Sequence, residues 1–465
     1  MTGRQAPFDA RRAGVLLHVT SLPHGDLGED AHRFVDFLAA SGCSVWQVLP
    51  LVPPHAEDRS PYNALSTMAG NPDLVSGERR HAEGLTTPAG LTGEPRAAFE
   101  EWCAEHEDWL QPYVEFRVLR ELQGGQPWPS WEPGLRDRDP RHVADALAPA
   151  RDRLQQVRFE QWVFAEQWAQ LRAHADSRGV LLFGDLPIFV SYDSADVWAS
   201  RELFELDDSG RPVTVTGCPP DYFAVDGQRW NNPHYDWAAM AADGFAWWRR
   251  RIARQREFFD LVRIDHFRGF EAAWHVPVDA ATARDGWWVP GPGGDVLSAL
   301  VEASGPGRLV AEDLGVITPE VEALRDRFGL PGMKILQFAY DGNPDNPYLP
   351  THHGDLSVVY TGTHDNDTTV GWWAGLDEHT RAAVRASLPD PAEPMPWALV
   401  HLALASTARL AVVPAQDLLA LGSAARMNTP GTDAGNWTWQ APAGAFDDAL
   451  ATRLRTIVEA TDRLV

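Results

Sequence analysis

Eight apolar runs of strand length, spread along the whole chain, limit the folds open to it. They are GVLLHV (14–19), SVWQVLPLV (44–52), GVLLFGDLPIFV (179–190) and LVRIDHFRGF (261–270), then RLVAEDLGV (308–316), KILQFAY (334–340), SVVYTGTHD (357–365) and RLAVVPAQDLL (409–419). Near-continuous Val, Ile, Leu and Phe belong to strands buried on both faces, which means a parallel sheet covered by helices. Most runs follow a stretch of helical period. DAHRFVDFLAASG and VRFEQWVFAEQWAQLRAHADSRG each close on a glycine suited to a left-handed cap. Eight βα units predict an α/β fold, a (β/α)8 TIM barrel. A doubly wound open sheet is the alternative, but no Gly-rich nucleotide loop follows any run.

The spacing of the runs is uneven. Residues 72–155, after the second strand, are expected to form an inserted, mostly helical subdomain. Residues 191–245, after the third, are rich in Pro, Asp, Tyr and Trp and read as a second, loop-rich insertion. Both leave from the C-terminal ends of strands, where barrels build their sites from βα loops.

Within the strand runs, polar residues stand where the pattern asks for apolar ones: Asp185, Arg263, Asp265, Glu312, Asp313, His364 and Asp365. Arg263 and Asp265 are two apart, so on a strand they point to one side. A lone buried ion pair is often structural, because isolated buried charges are costly. Carboxylates at several successive strand ends repel one another, and that crowding shifts proton affinities in the way acid/base chemistry uses. Two carboxyls flanking one bond are the machinery of glycoside cleavage. Arg263 is placed to keep Asp265 ionised, and Asp313 beside Glu312 would favour protonated Glu312 if their side chains approach. Asp265 is therefore the expected nucleophile and Glu312 the expected general acid/base.

Composition excludes other classes. With 65 Asp and Glu against 40 Lys and Arg, a net charge of -25 repels nucleic acid and anionic lipid, so neither is an expected partner. Three cysteines without metal spacing suit a reducing cytoplasm, and the apolar stretch near the start is too short for a secretory signal. DGNPDNPYLPTH (341–352) begins like a calcium loop but lacks its glycine and its final glutamate, so no metal is expected; His352 and His353 read as a solvated loop pair. No cofactor is implied.

The segments LLHVTSLP, WQVLPL, SPYNALSTMAGNP, GDLPIFVSYDSADVW, GCPPDYFAVDGQRWNNPHYDW, RIDHFRGFEAAW, AEDLGVITPEV, LPGMKILQFAY, YTGTHDNDT and ARMNTPGTDAGNWTW together resemble the 4-α-glucanotransferases (amylomaltases, disproportionating enzymes) of glycoside hydrolase family 77. The resemblance runs nearly end to end. It implies a single catalytic barrel over 1–465, of the α-amylase type, with inserted subdomains and no C-terminal β domain. It implies transfer of an α-1,4-glucan segment to the 4-OH of a glucose or maltooligosaccharide acceptor, by a retaining double displacement through a glycosyl–Asp intermediate. The family's nucleophile falls on Asp265, its acid/base on Glu312 and its transition-state-stabilising aspartate on Asp365. Arg263 and His364 would orient the nucleophile and the cleaved sugar, Asp185 would support them, and Tyr62 would lie under that sugar. Tyr222 and Trp230 fall in the loop that covers the acceptor side, which the 191–245 insertion would form. A cytoplasmic monomer or weak homo-oligomer is implied. The chain departs from the family pattern at DLGEDA, which follows TSLPHG directly, and at LVPPHAEDRSPY, which lacks a customary glycine turn and tyrosine.

Overall fold

The computed structural model describes residues 7–220, 225–432 and 434–465. Six of the eight runs contain a strand and the other two, 14–19 and 334–340, begin two residues inside one: β1 (Arg12–Leu16), β2 (Val45–Gln47), β3 (Leu181–Pro187), β4 (Leu261–Asp265), β5 (Leu309–Ala311), β6 (Gly332–Ile335), β7 (Ser357–Tyr360) and β8 (Leu410–Pro414). They lie in the order β6-β7-β8-β1-β2-β3-β4-β5, each parallel to its neighbours. The ends of that row meet: the amide of Ala311 donates to Pro331 O at 2.9 Å, and that of Met333 to Asp313 Oδ1 at 2.7 Å. The sheet is thus a closed (β/α)8-type barrel.

Strand period 2 sorts the side chains. Leu16, Val45, Phe183, Leu261, Val310, Met333, Val358 and Leu410 form a buried cluster inside the barrel. Their neighbours Val15, Trp46, Leu182, Val262, Leu309 and Ala411 belong to the larger core under the helices. Two residues on from the inner cluster, the same face carries Asp185 after Phe183, Arg263 and then Asp265 after Leu261, and Glu312 after Val310. The charges that break the apolar pattern therefore line the C-terminal mouth.

Helices Glu29–Ala40, Arg151–Ser177, Ala246–Phe258, Gly294–Ser304, Pro319–Arg327, Trp397–Ala405 and Asp448–Ala460 cover the outside. The sixth crossover departs from the expected eight βα units. After β6 come only the 3-10 turns Leu336–Phe338 and Pro350–His352. The intervening DGNPDNPYLP is too rich in turn formers for a helix. Its Asp341 and Asn343 oxygens are taken by the amides of Asn343 (2.9 Å) and Asp345 (3.0 Å), which tightens the turn. His353 is not the solvated residue expected: it is buried, with Nδ1 2.7 Å from Ser406 Oγ and Nε2 2.9 Å from Tyr348 O.

At the closed end of the barrel, Arg463 is fully buried with no carboxylate partner among the described residues. Its guanidinium donates to five carbonyls, those of Leu404, Arg12, Ser406, Ala408 and Arg409, and so ties the start of β1 to the approach of β8.

Between β2 and β3 the chain forms helices Gly93–Glu105, Glu107–Leu122 and Pro140–Leu147 and enters the 27-residue helix Arg151–Ser177, which runs unbroken through residue 155. Between β3 and β4 it forms strands Thr214–Cys218 and Gln228–Pro233. These pair with each other, and Thr214–Cys218 also pairs with Ala272–Pro277 from the loop after β4, which in turn pairs with Trp287–Pro290, giving a separate antiparallel four-stranded sheet beside the mouth. Among the described residues no helix is long and apolar enough to cross a membrane.

Candidate active site

Register brings the charges together. Asp185 on β3 lies opposite Arg263 on β4, and Pro187 opposite Asp265. Arg263 Nη1 donates to both oxygens of Asp185, at 2.8 and 2.7 Å, and Nη2 reaches Asp265 Oδ1 at 2.8 Å. The guanidinium thus bridges two carboxylates, one wholly buried and one, Asp265, with 28% of its side chain open to the cleft. Tyr62 donates its hydroxyl to Asp185 Oδ2 at 2.7 Å, and its ring stacks on His364 at 5.2 Å and 15°. Burial and the adjacent Asp185 raise the Tyr62 phenol well above its ordinary value, so it stays a donor.

Among the described residues, Glu312 is held by backbone alone. Its Oε2 accepts from the amide of His266 at 2.6 Å and its Oε1 from that of Leu314 at 2.9 Å. This places the carboxyl against the residue that follows Asp265. Asp313 points the other way, to Arg325 and the amide of Met333, as period 2 demands. Asp365 lies beyond β7, with Oδ1 2.6 Å from Asn428 Nδ2 and 3.3 Å from His364 Nε2.

Burial raises the carboxyls of both Asp265 and Glu312 above their ordinary values. At Asp265 the charges of Asp185, Glu312 and Asp365 add to it against Arg263. At Glu312, Arg263 and the two amides oppose it, and Asp313 contributes to the rise. Arg263 alone therefore does not hold Asp265 in the ordinary carboxylate range, as adjacency in sequence suggested. Burial also lowers His364, leaving a neutral ring beside Asp365.

The structure gathers Tyr62, Asp185, Arg263, Asp265, Glu312, His364 and Asp365 at one mouth. Trp230 stands at its side, half-buried, meeting His266 edge-on at 4.8 Å and 83° and Phe189 at 6.4 Å. Tyr222 lies outside the described residues. Sequence reasoning missed three neighbours. Asn428 and Trp437 come from the loop after β8, Trp437 with its ring 5.8 Å from Tyr62 and 5.9 Å from His364. His266, the third, carried no signal beyond standing next to Asp265. The amide and tryptophan in ARMNTPGTDAGNWTW were visible, but nothing local ties that segment to β7.

A closed barrel with carboxylates and one bridging arginine at its mouth, ringed by Tyr, His and Trp faces, defines an enzyme of glycosidic-bond chemistry. Comparison with known proteins narrows this. The family model described as 4-alpha-glucanotransferase matches residues 17–92 and 85–444. The chain is 45% identical to the 4-alpha-glucanotransferase of Thermus thermophilus, over 98% of this chain and 99% of that one. It is 43% identical to that of Synechocystis sp., with the same coverage. Among solved structures it resembles the amylomaltase from Streptococcus agalactiae in complex with acarbose, with a TM-score of 0.92 at 30% identity over 98% of this chain and 100% of that chain. The alpha-amylase from Geobacillus thermoleovorans, at TM-score 0.50, 10% identity and 98% and 80% coverage, shares the fold. The chain belongs to the 4-alpha-glucanotransferase family, glycoside hydrolase family 77.

Proposed function

We propose that this protein cleaves an α-1,4-glucan, holds the glycosyl group on Asp265, and passes it to the 4-OH of glucose or a maltooligosaccharide. Protonated Glu312 gives its proton to the leaving oxygen as Asp265 Oδ bonds to the anomeric carbon. In the second step ionised Glu312 takes the acceptor's hydroxyl proton while the acceptor oxygen displaces Asp265. Both substitutions invert, so the configuration is retained.

The observation that carries this reading is the asymmetry of the two carboxyls. Asp265 and Glu312 titrate as a linked pair, but only Asp265 touches a cation. Contact with the guanidinium favours the negative charge on Asp265, and the shared proton is assigned to Glu312. Glu312 is tethered to the residue after Asp265, which favours the close spacing of about 5 Å used by retaining enzymes over the 6.5–9.5 Å that leaves room for water. Asp365, fixed by Asn428, faces the sugar as the transition-state-stabilising carboxylate. His364 and the Tyr62 ring form the bed under the cleaved residue, and Asp185 orients Arg263. Trp230 and Tyr222 are assigned to the acceptor side of the cleft, which the insertion 191–245 forms, and 72–155 is the other inserted subdomain.

Hydrolysis by the same centre is the competing reading. With water near 55 M and an acceptor near 1 mM, tenfold faster transfer needs about 8 kcal/mol of preference. Orientation of a bound acceptor supplies about 7–11 kcal/mol. The half-buried Trp230 ring is the observation that favours transfer, since water has no use for a stacking face. Incubation with maltotriose tests the reading: glucose together with chains longer than the substrate is expected, and glucose and maltose alone would refute it.

A further inference from the structure

Like Arg463, Arg251 is buried with no carboxylate in contact among the described residues. It stands on the helix Ala246–Phe258 and is 1% exposed. The carboxylate whose charge it feels, Asp196, is engaged by the amide and hydroxyl of Thr67, at 2.8 and 2.7 Å. Burial lowers the guanidinium's pKa, and the faces of Trp247 and Trp248, 5.3 and 4.9 Å away, offset part of that cost. A methionine would fill the space without it, so the guanidinium is placed for what it holds.

What it holds is the exit of β3. Nη2 donates to Pro187 O at 2.6 Å and Nη1 to Ile188 O at 3.2 Å, and the hydroxyl of Tyr235 donates to Ile188 O at 2.6 Å. Strand β2 pairs with β3 no further than Phe183, whereas β4 pairs with it as far as Pro187, opposite Asp265. Phe183 O accepts from Val48 N on the β2 side, and alternate carbonyls of a strand point the same way. Pro187 O therefore faces the side that β2 has left, and Arg251 supplies the donor that a strand would have given. Across the same peptide, Ile188 N–H donates to Asp265 O at 3.3 Å. Two hydrogen bonds and one rigid peptide plane thus link the guanidinium to the backbone of Asp265, and the cation at one end strengthens the bond at the other. Between this segment and the helix lies a cavity lined by Tyr62, Asp185, Pro187, Phe189, Arg251 and Gln255. It is space into which the segment can fall back once the guanidinium is gone.

We propose that Arg251 is a positioning residue for the nucleophile: it stands in for the missing strand and, through the Pro187–Ile188 peptide, fixes the backbone of Asp265 where the carboxylate reaches the anomeric carbon. Tyr235, from the insertion 191–245, grips the same carbonyl as the second half of the clamp. This role rests on Asp265 being the nucleophile, which Asp265→Asn tests by itself, since that variant should release no fluoride from α-glucosyl fluoride.

Fluoride release reads glycosylation of the enzyme whether a sugar or water later takes the group. Per folded molecule, as counted by circular dichroism, Arg251→Met should lower its kcat about ten- to a hundredfold, the cost of misplacing a reacting group by about 1 Å. The KM for the donor should change less than about threefold. Arg251→Lys keeps the charge and one donor, and should be at least about threefold faster than Arg251→Met. Tyr235→Phe removes one hydroxyl and should lower kcat about threefold. Combined with Arg251→Lys the losses should not multiply, because both residues act on Ile188 O. The acidic limb of the pH–rate profile should stay in place, since the charges acting on Asp265 are those of Arg263, Asp185, Glu312 and Asp365. An unchanged kcat per folded molecule in Arg251→Met or, should that variant not fold, in both Arg251→Lys and Tyr235→Phe overturns the role and leaves Arg251 a residue of the fold alone. A displaced acidic limb also overturns it, because Arg251 would then act by its charge and not by placing the strand. Fluoride release retained in Asp265→Asn refutes the nucleophile and this role with it, whereas its loss there beside unaltered Arg251 variants refutes the role of Arg251 alone.

Discussion

Arg263→Met removes the cation that bridges Asp185 and Asp265. Two unit charges about 4 Å apart interact by about 4 kcal/mol at an effective dielectric near 20, equivalent to about 3 pKa units. Asp265 is partly open to water, which takes over some of the lost stabilisation, so an increase of about 1.5–3 units in its proton affinity is expected. The sign follows from the charge. Without the guanidinium the neutral carboxyl is favoured, a higher pH is needed to ionise the nucleophile, and the acidic limb of kcat/KM for maltotriose moves upward. Wild type itself should show that limb above the ordinary carboxylate range, since burial and three neighbouring carboxylates already raise Asp265. Losing one partner of a buried pair also costs about 3–5 kcal/mol of stability, so the profile is measured where circular dichroism shows the variant folded. Arg263→Lys keeps the charge but not the fork, and should shift the limb by less than half as much. A limb that stays put while activity falls by one factor at every pH would refute the reasoning and leave Arg263 a scaffold residue.

Asp265→Asn and Glu312→Gln should each lower transfer from maltotriose about a thousandfold. An activated aryl donor, which needs no leaving-group proton, should rescue Glu312→Gln and not Asp265→Asn, and equal rescue would reverse the roles. Trp230→Ala should cost about 1–3 kcal/mol of acceptor binding, taking base stacking on aromatics as a guide. The ratio of transfer products to new reducing ends falls, and an unchanged ratio sinks the platform role. Arg463→Met strands five carbonyls in the closed end of the barrel and should lower unfolding free energy by at least about 3 kcal/mol, read by urea denaturation. A loss under about 1 kcal/mol would mean that water takes the place of the guanidinium.

What could be read from the chain was whatever a strand writes into a few consecutive residues. β4 announced itself by Leu261, Val262 and Ile264, and its charged inward positions by Arg263 and Asp265. Asp185 and Glu312 stood out in the same way, because a strand's period is short enough to see. The separate sheet was not visible, since Gln228–Pro233 has no apolar rhythm and its neighbour Thr214–Cys218 finds its other partner, Ala272–Pro277, only beyond β4. Asn428 is 63 positions from Asp365, and only the pairing of β8 with β7 brings the loops that carry them together. The turn at His266 was hidden for another reason: histidine does not advertise a left-handed backbone, and the pull of Glu312 on its amide is a tertiary effect.

That pull has a bearing on how this centre can vary. Glu312 is gripped by two main-chain amides, and every residue except proline supplies one, so the grip survives nearly any side chain at position 314 and asks of position 266 only that it tolerate the left-handed turn. Asp265 depends instead on a single guanidinium that no other side chain replaces. A library randomised around the mouth should therefore divide sharply: position 314 open, position 266 restricted to residues at ease with a left-handed turn, and position 263 closed. The centre can drift toward new acceptors through one wall while its chemistry stays anchored in the other.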